Sequence, residues 1–233
     1  MVITPELLST FPILKPLPAS ALNQLAADSR LEKYSRRGVV LSAGKHEECL
    51  CFLFEGRLQG VDFTIDGREV GLYFVEPGEF CGELGLFDNG AQPEFVIALT
   101  AAVVVLIPMA SMRQVILSNP HVVTTLGEKL AARVRQLTAQ RSLLGLPSIR
   151  QRVCCQLWLL LPASDRDAMQ PCRIDNPPTH MEIAIMLNVS RETVTRVFQS
   201  LQNRQIVKRE GPSCLLINDL QALKEYAEGV REL

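Results

Sequence analysis

Three charged side chains of suitable type for contacting nucleobases lie close together near the end of the chain. Arg191, Glu192 and Arg196 belong to "RETVTRVFQSLQNRQIV", in which apolar residues recur at helical spacing. A guanidinium can donate two parallel hydrogen bonds to O6 and N7 of guanine, and a carboxylate can accept one from the cytosine amino group. Because a carboxylate repels phosphate, this set of side chains is better suited to contacts with base edges than to electrostatic binding of the DNA backbone. The pattern predicts that Arg191, Glu192 and Arg196 read DNA.

The residues before this helix predict a second, shorter helix that positions it. In "THMEIAIMLNVS", Thr179 and Glu182 have the spacing of a capping box, Asn188 and Val189 form a tight turn, and Ser190 caps the next helix. Two short helices joined in this way are a helix-turn-helix, whose second helix enters the major groove. The further residues predicted to contact DNA, several of them through its backbone, are Thr179, His180, Ser190, Thr193, Thr195, Gln199, Lys208 and Arg209.

The segment after Arg209 completes this predicted domain. "REGPSCLLIND" places Gly211 and Pro212 at a turn between two short β-rich pieces. Such a hairpin is typical of the wing of a winged helix.

The first half of the chain has a different residue pattern, one typical of β-strands. After a helical segment of about 30 residues, short β-rich pieces alternate with glycines, and "IDGRE" is a hairpin signal. Short strands at this spacing predict a jelly roll. The fold class is therefore α+β, with predicted domains at 1–118 (an effector-sensing jelly roll), 119–146 (a dimerisation helix and hinge) and 147–233 (a winged helix-turn-helix domain).

A long helix is predicted between the two domains. From Pro120 to Leu144, apolar residues recur at steps of three and four. A helix of about 35 Å, at 1.5 Å per residue, extends beyond the contact that a small barrel offers. We therefore expect it to pair with a second copy of the chain as a coiled coil. The predicted interface residues are Leu126, Leu130, Val134 and Leu137.

Composition narrows the class of protein further. The formal net charge is -1, so a nucleic-acid surface must be a local patch. The seven cysteines form no CxxC pair, and the N-terminus lacks a secretory signal; both features predict reduced thiols in a cytoplasmic protein. "FVIALTAAVVVLIP" is too short to span a bilayer comfortably, so no membrane partner is expected. No metal site and no nucleophile–base pair is recognisable, which disfavours an enzyme. A redox or metal role for Cys49, Cys51 and Cys81 stays open.

These motifs together resemble a known family. "SRETVTRVFQSLQNRQIVKREG" is similar to the DNA-reading element of the cAMP receptor protein and fumarate–nitrate reduction regulator (CRP/FNR) family, "PGEFCGELGLFDNG" resembles its phosphate-binding cassette, and Pro120–Leu144 resembles its dimer helix. The resemblance implies a bacterial, homodimeric transcription regulator whose partners are double-stranded DNA and RNA polymerase. It maps the family's base-reading positions onto Arg191, Glu192 and Arg196 and suggests TGTGA-type half-sites.

The effector pocket departs from the family pattern. The resemblance implies a pocket at Gly82, Glu83, Leu84, Glu94 and Thr138. Where cAMP-binding members carry an arginine–serine pair for the phosphate, this chain has Pro93-Glu94, and their Thr-Ser pair appears as Thr138-Ala139. Glu94 would repel a phosphate. We therefore expect neither cAMP nor any other resident cofactor, while cyclic di-GMP, another small effector or no ligand at all stay open.

Overall fold

The computed structural model describes residues 2–166, 171–211 and 213–233. The chain forms two compact units, one made of residues 1–63 and 72–137, the other of residues 64–71 and 138–233. The boundary at 137/138 lies inside the long helix, whereas the sequence predicts this helix as a segment separate from both domains.

Two four-stranded antiparallel sheets form the first unit. Their strand orders are β1-β8-β3-β6 and β2-β7-β4-β5. The strands are β1 (Arg30–Tyr34), β2 (Val39–Leu41), β3 (Cys49–Glu55), β4 (Leu58–Phe63), β5 (Glu69–Val75), β6 (Phe80–Cys81), β7 (Phe95–Ala98) and β8 (Ala102–Pro108). The helices associated with these strands are α1 (Pro5–Leu8), α2 (Ala19–Asp28), α3 (Leu84–Asp88), α4 (Met109–Ser118) and α5 (Pro120–Leu144).

The central strands are apolar at successive positions because both of their faces are buried. On β3, Leu50 and Phe52 join a core shared with residues of α1, α2, α4 and α5, whereas Cys51 and Leu53 point into the core shared by residues of both sheets. β8 alternates in the same way. Side chains on a strand point alternately to opposite faces, so a strand covered on both sides reads as a continuous apolar run.

Leu126 on α5 corrects one predicted interface residue. Its side chain is 0% exposed and belongs to the chain's own core, together with Val122. The three- and four-residue spacing of the sequence fits two adjacent stripes of this helix, and periodicity alone does not distinguish them. Leu126 is therefore a core residue, and a partner helix would have to use the neighbouring stripe.

The second unit is a small mixed domain. It contains α6 (Ile149–Leu160), β9 (Cys172–Asp175), α7 (His180–Leu187), α8 (Arg191–Asn203), β10 (Val207–Arg209), β11 (Cys214–Ile217) and α9 (Leu220–Glu228). The sheet has the order β10-β11-β9, so the predicted wing strands pair with a third strand. Pro212 of the predicted wing turn lies outside the described residues. No helix in the described part of the chain has the length and apolar character needed to cross a bilayer.

Candidate nucleic-acid interface and ligand cassette

Local capping fixes where α7 and α8 begin and end. The Thr179 hydroxyl accepts from the Glu182 backbone N–H while the Glu182 carboxylate accepts from that of Thr179, which completes the capping box. Asn188 ends α7 in the left-handed region (φ 50°, ψ 50°), and the Ser190 hydroxyl accepts from the Thr193 N–H at 3.2 Å. Thr179 and Ser190, predicted as DNA contacts, therefore use their side chains as helix caps.

The two faces of α8 differ as the sequence predicts. Val194, Val197, Phe198 and Leu201 are buried in the core of the second unit. Arg191, Glu192, Arg196 and Gln199 are exposed. Arg196 Nη2 donates to Thr193 Oγ1 at 3.3 Å, which biases this guanidinium towards one orientation along the exposed side. The face thus presents two guanidiniums, a carboxylate and an amide, groups that match donors and acceptors on base edges.

A hydrogen bond between His180 and Thr195 connects α7 to α8. His180 Nδ1 lies 3.0 Å from Thr195 Oγ1, and the imidazole packs 4.4 Å from the Phe198 ring centroid. Burial, with Arg209 and Arg191 nearby, lowers the pKa of His180 below its ordinary value. A neutral imidazole is a weak phosphate ligand. The main role of His180 and Thr195 is therefore to hold α7 against α8 through their hydrogen bond.

Lys208 on β10 is exposed and forms an ion pair with Glu210, with Lys208 Nζ 3.1 Å from Glu210 Oε1. Exposed pairs of this kind contribute little and exchange readily. The ammonium group therefore stays accessible to an external anion at little cost.

The cassette of the first unit positions one buried and one exposed member of the predicted pocket. Gly82 adopts φ +86°, and an added Cβ there would meet Leu41 at 3.1 Å. Glu83 is 3% exposed, whereas Leu84 is 37% exposed. Thr138, the remaining predicted pocket residue, lies exposed on α5 in the part of the helix that belongs to the second unit.

A cluster of the chain's own polar side chains lies beside Glu83 of the cassette. The hydroxyl of Tyr73 donates to Glu94 Oε1, which also accepts from Gln92 Nε2 at 3.0 Å. The Arg133 guanidinium, from α5, stacks on the Tyr73 ring with its carbon 3.4 Å from the centroid, and its Nη2 lies 3.8 Å from Glu83 Oε1. Burial raises the pKa of Glu94. A guanidinium and two carboxylates therefore share one buried site.

The ring of Tyr73 has room only because a glycine lies beneath it. A Cβ added at Gly60 would come within 2.5 Å of the ring. Sequence reasoning identified neither Tyr73 nor Arg133, since a tyrosine on a strand and an arginine on a helix flank are ordinary features of a sequence.

Two cysteines of the first unit face each other. Cys51 on β3 is the cross-strand partner of Cys81 on β6, and both are buried. A hydrogen bond with Cys81, together with burial, raises the pKa of Cys51, whereas Cys49 accepts from Arg30 Nη1 at 3.6 Å. Residues 2–166, 171–211 and 213–233 contain no group of three or more potential metal ligands suited to an ion.

An exposed apolar stripe runs along α5 beside the buried one. Val123, Val134 and Leu137 are exposed by 41%, 64% and 38%, and Leu130 is half-buried. With Gly127, where an added Cβ would meet nothing within 4 Å, these positions follow the spacing 123, 127, 130, 134, 137. At about 100° per residue, the stripe lies roughly 90° around the helix from the buried stripe. The spacing is that of a coiled-coil seam.

The fold combines a domain of two antiparallel sheets, a long helix and a helix-turn-helix domain, which is the architecture of a family of DNA-binding regulators, and comparison with known proteins agrees. Residues 31–119 match the family model described as "Cyclic nucleotide-binding domain", and residues 151–226 match the "Crp-like helix-turn-helix domain". The chain belongs to the CRP/FNR family of DNA-binding transcription regulators.

Three relatives illustrate the similarity. The "cAMP-activated global transcriptional regulator Vfr" of Pseudomonas aeruginosa is 30% identical over 200 residues, 84% of this chain and 92% of that one. The "cAMP-activated global transcriptional regulator CRP" of Salmonella typhimurium is 27% identical over 204 residues, 87% and 96% of the two chains. The solved structure of FixK2 from Bradyrhizobium japonicum matches with a TM-score of 0.71 at 20% identity, over 85% and 96% of the chains.

Proposed function

We propose that this regulator acts as a homodimer that reads an inverted repeat of TGTGA-type half-sites. The observation that carries the proposal is the exposed set Arg191, Glu192 and Arg196 at the start of a helix that is capped by Ser190 and backed by α7. In a dimer, two such helices would enter successive major grooves about 34 Å apart. Thr193, Gln199 and Lys208 would add contacts, and Thr179, His180, Ser190 and Thr195 would chiefly position the helix. RNA polymerase is the expected protein partner.

The exposed stripe of α5 supports the dimer. Val123, Leu130, Val134 and Leu137 lie at a/d spacing, and Gly127 offers open space where a second backbone could approach. Apolar side chains at these positions gain free energy when a partner helix removes them from water, at about 25 cal/mol per Å².

We further propose that DNA binding is independent of cAMP, although the relatives Vfr and CRP carry "cAMP-activated" in their names. Two features of the cassette support this. Glu94 stands where the resemblance implies an arginine, and it accepts from Tyr73, on which Arg133 stacks. A cyclic phosphate would have to displace the stack and also approach two carboxylates.

A ligand-switched regulator is the second candidate function, and one observation favours it. The Nη2 atom of Arg133 is buried and has no hydrogen-bond partner within the described part of the chain. An oxygen of a ligand such as a cyclic dinucleotide would satisfy it. The redox form of this alternative is supported by the facing pair Cys51 and Cys81.

The deciding experiment measures the DNA affinity of the purified protein for a TGTGA inverted repeat and for a scrambled duplex of equal length. The titrations are run without additive, then with cAMP, cGMP or cyclic di-GMP. The proposal expects preference for the repeat without additive and no change with any nucleotide. Tighter binding with one nucleotide would support the second candidate, and equal affinity for both duplexes would contradict base reading.

A further inference from the structure

We infer that an arginine-lined groove of the second unit holds the DNA backbone beside the base-contacting face, through phosphate contacts that do not depend on sequence. The inference rests on the proposed DNA-reading function and adds a surface to it. The groove has a volume of about 800 Å³ and lies between the first turn of α6, one side of α8 and the residues that follow α9.

The charge of the groove points to an anionic partner. Arg150, Arg196, Arg204 and Arg231 line it, whereas Glu232 is the one acidic side chain among the described lining residues. The whole chain carries a formal charge of -1, whereas the described lining of the groove has four arginines against one glutamate. Clustered guanidiniums raise the local concentration of a polyanion such as DNA.

The groove is continuous with the proposed reading face. α8 contributes Thr193, Arg196, Ser200 and Arg204 to its wall, and these positions recur at steps of three and four. Arg196 therefore belongs to both surfaces. The major groove of DNA is about 12 Å wide, so a base edge at Arg196 brings the sugar–phosphate backbone within reach of the groove.

A buried tyrosine holds two of the guanidiniums in place. Arg204 Nη1 donates to the Tyr226 hydroxyl at 2.6 Å, and the guanidinium carbons of Arg204 and Arg231 lie 5.7 and 5.5 Å from the same ring centroid. Tyr226 is 2% exposed, so it is a fixed platform. Glu225 Oε2, 3.9 Å from Arg231 Nη1, offsets part of the repulsion between these like charges, and a phosphate beside Arg204 would offset more of it.

The arginines also keep donors for an external anion. Arg150 Nη1 donates to the Leu233 carbonyl at 2.5 Å, which uses one of the five N–H donors of a guanidinium. A planar guanidinium that is already oriented loses less rotational freedom when it binds phosphate. The groove is thus organised for phosphate before DNA arrives.

The test is the salt dependence of DNA affinity for the variant R150Q/R204Q/R231Q. Binding is measured between 50 and 200 mM salt, concentrations chosen because each phosphate contact contributes about 0.9 to the slope of log K against log salt. We expect the slope to become shallower by about 2 to 3, equally on the inverted repeat and on scrambled DNA. The charge-matched control K15Q/K33Q/R36Q removes three exposed cations of the first unit and should keep the wild-type slope.

Several outcomes would overturn the inference. A glutamine variant that unfolds at the wild-type temperature and keeps the wild-type slope shows that the groove does not meet phosphate. Lost activation of transcription with an unchanged slope would assign the groove to an acidic protein instead. If the triple variant does not fold, the three single variants carry the test, each expected to lower the slope by about 0.9, and R150K/R204K/R231K should keep it.

This test separates the groove from the reading function. Failure of the wild-type protein to prefer the repeat would contradict the proposed function alone. The slope on scrambled DNA would still report whether the groove contacts phosphate.

Discussion

At the scale of single residues, the polar side chains of α7 and α8 serve two different purposes. Arg191 and Glu192 are exposed at its first turn, whereas His180 and Thr195 bond to each other and join α7 to α8. Polar residues that look alike in the sequence therefore differ in how a substitution should act: loss of the first pair should change DNA selectivity, and loss of the second should change helix packing.

Substitution of Arg191 tests base reading. Arg191→Ala should weaken binding to the matched repeat by about 1–3 kcal/mol, the range for a bidentate contact to guanine, and should relax selectivity at one base pair. Competition binding on single-base variants of the repeat measures this. Arg36→Ala, at an exposed position of the first unit, is the control. If the variant binds the repeat and scrambled DNA more weakly to the same extent, Arg191 contacts phosphate and does not read a base.

The buried imidazole of His180 predicts a pH dependence of stability. Its pKa is lowered in the folded protein, chiefly by burial and then by Arg209 and Arg191. Below the ordinary histidine pKa of about 6.5, His180 binds a proton in the unfolded chain but less readily in the folded chain. Stability therefore falls as the pH drops through this window, with a slope of at most one proton. Chemical unfolding at pH 7.5 and 5.5 should show a smaller difference for His180→Gln than for the wild type; identical differences would contradict the assignment.

At the scale of elements, α5 serves two surfaces at once. One stripe, with Val122, Leu126, Lys129 and Arg133, contacts the rest of the first unit through core packing, an ion pair to Glu79 and the stack on Tyr73. The neighbouring stripe stays exposed in the single chain. A substitution on the first should change the stability of the jelly roll, and one on the second should change subunit association.

Val134→Asp tests the exposed stripe. In a dimer, each of the two paired helices would bury one carboxylate in the seam, and the two like charges would face each other. The protein should therefore become monomeric. Light scattering gives the mass directly. Leu117→Asp places the same charge at a leucine on α4 that is 85% exposed, and it should leave the mass unchanged. A dimer of wild-type stability in the Val134 variant would rule out this seam.

Arg133→Gln tests the other stripe. Its side chain is 11% exposed and lies beside Glu83, which is 4% exposed. Removing the guanidinium leaves a buried carboxylate without its cation, which costs about 3–5 kcal/mol. Denaturant unfolding measures this, and R133Q/E83Q should recover part of the loss. Lys129→Gln breaks the more exposed pair with Glu79 and should cost no more than about 1 kcal/mol.

At the scale of the whole molecule, the proposed independence from cAMP can be tested through protein stability. A ligand present at 100 times its Kd raises the free energy of unfolding by about 2.7 kcal/mol. Because a cyclic phosphate would have to open the contacts of Tyr73 with Glu94 and Arg133, cAMP should not raise the unfolding temperature even at high concentration, whereas a matched DNA repeat should. A clear rise with cAMP would show that the stack opens.

Features specified by short stretches of chain could be predicted from the sequence. The caps Thr179, Ser190 and Ser148 stand at helix starts, because a cap depends on residues three or four positions apart. Strand β9 was not predicted because its partner among the described strands, β11, lies some forty residues further along the chain. The stack of Arg133 on Tyr73 joins positions on different elements, and no local pattern encodes such a contact.

The size match between Gly60 and Tyr73 has an evolutionary consequence. A methyl group at position 60 would collide with the ring, so the two positions are expected to change together among descendants of this gene. A lineage that acquired alanine at 60 and serine at 73 would lose the aromatic ring on which Arg133 stacks and would leave space beside the same strands. Dependence on a metabolite could then be gained or lost through two codon changes, with the DNA-reading half of the protein left untouched.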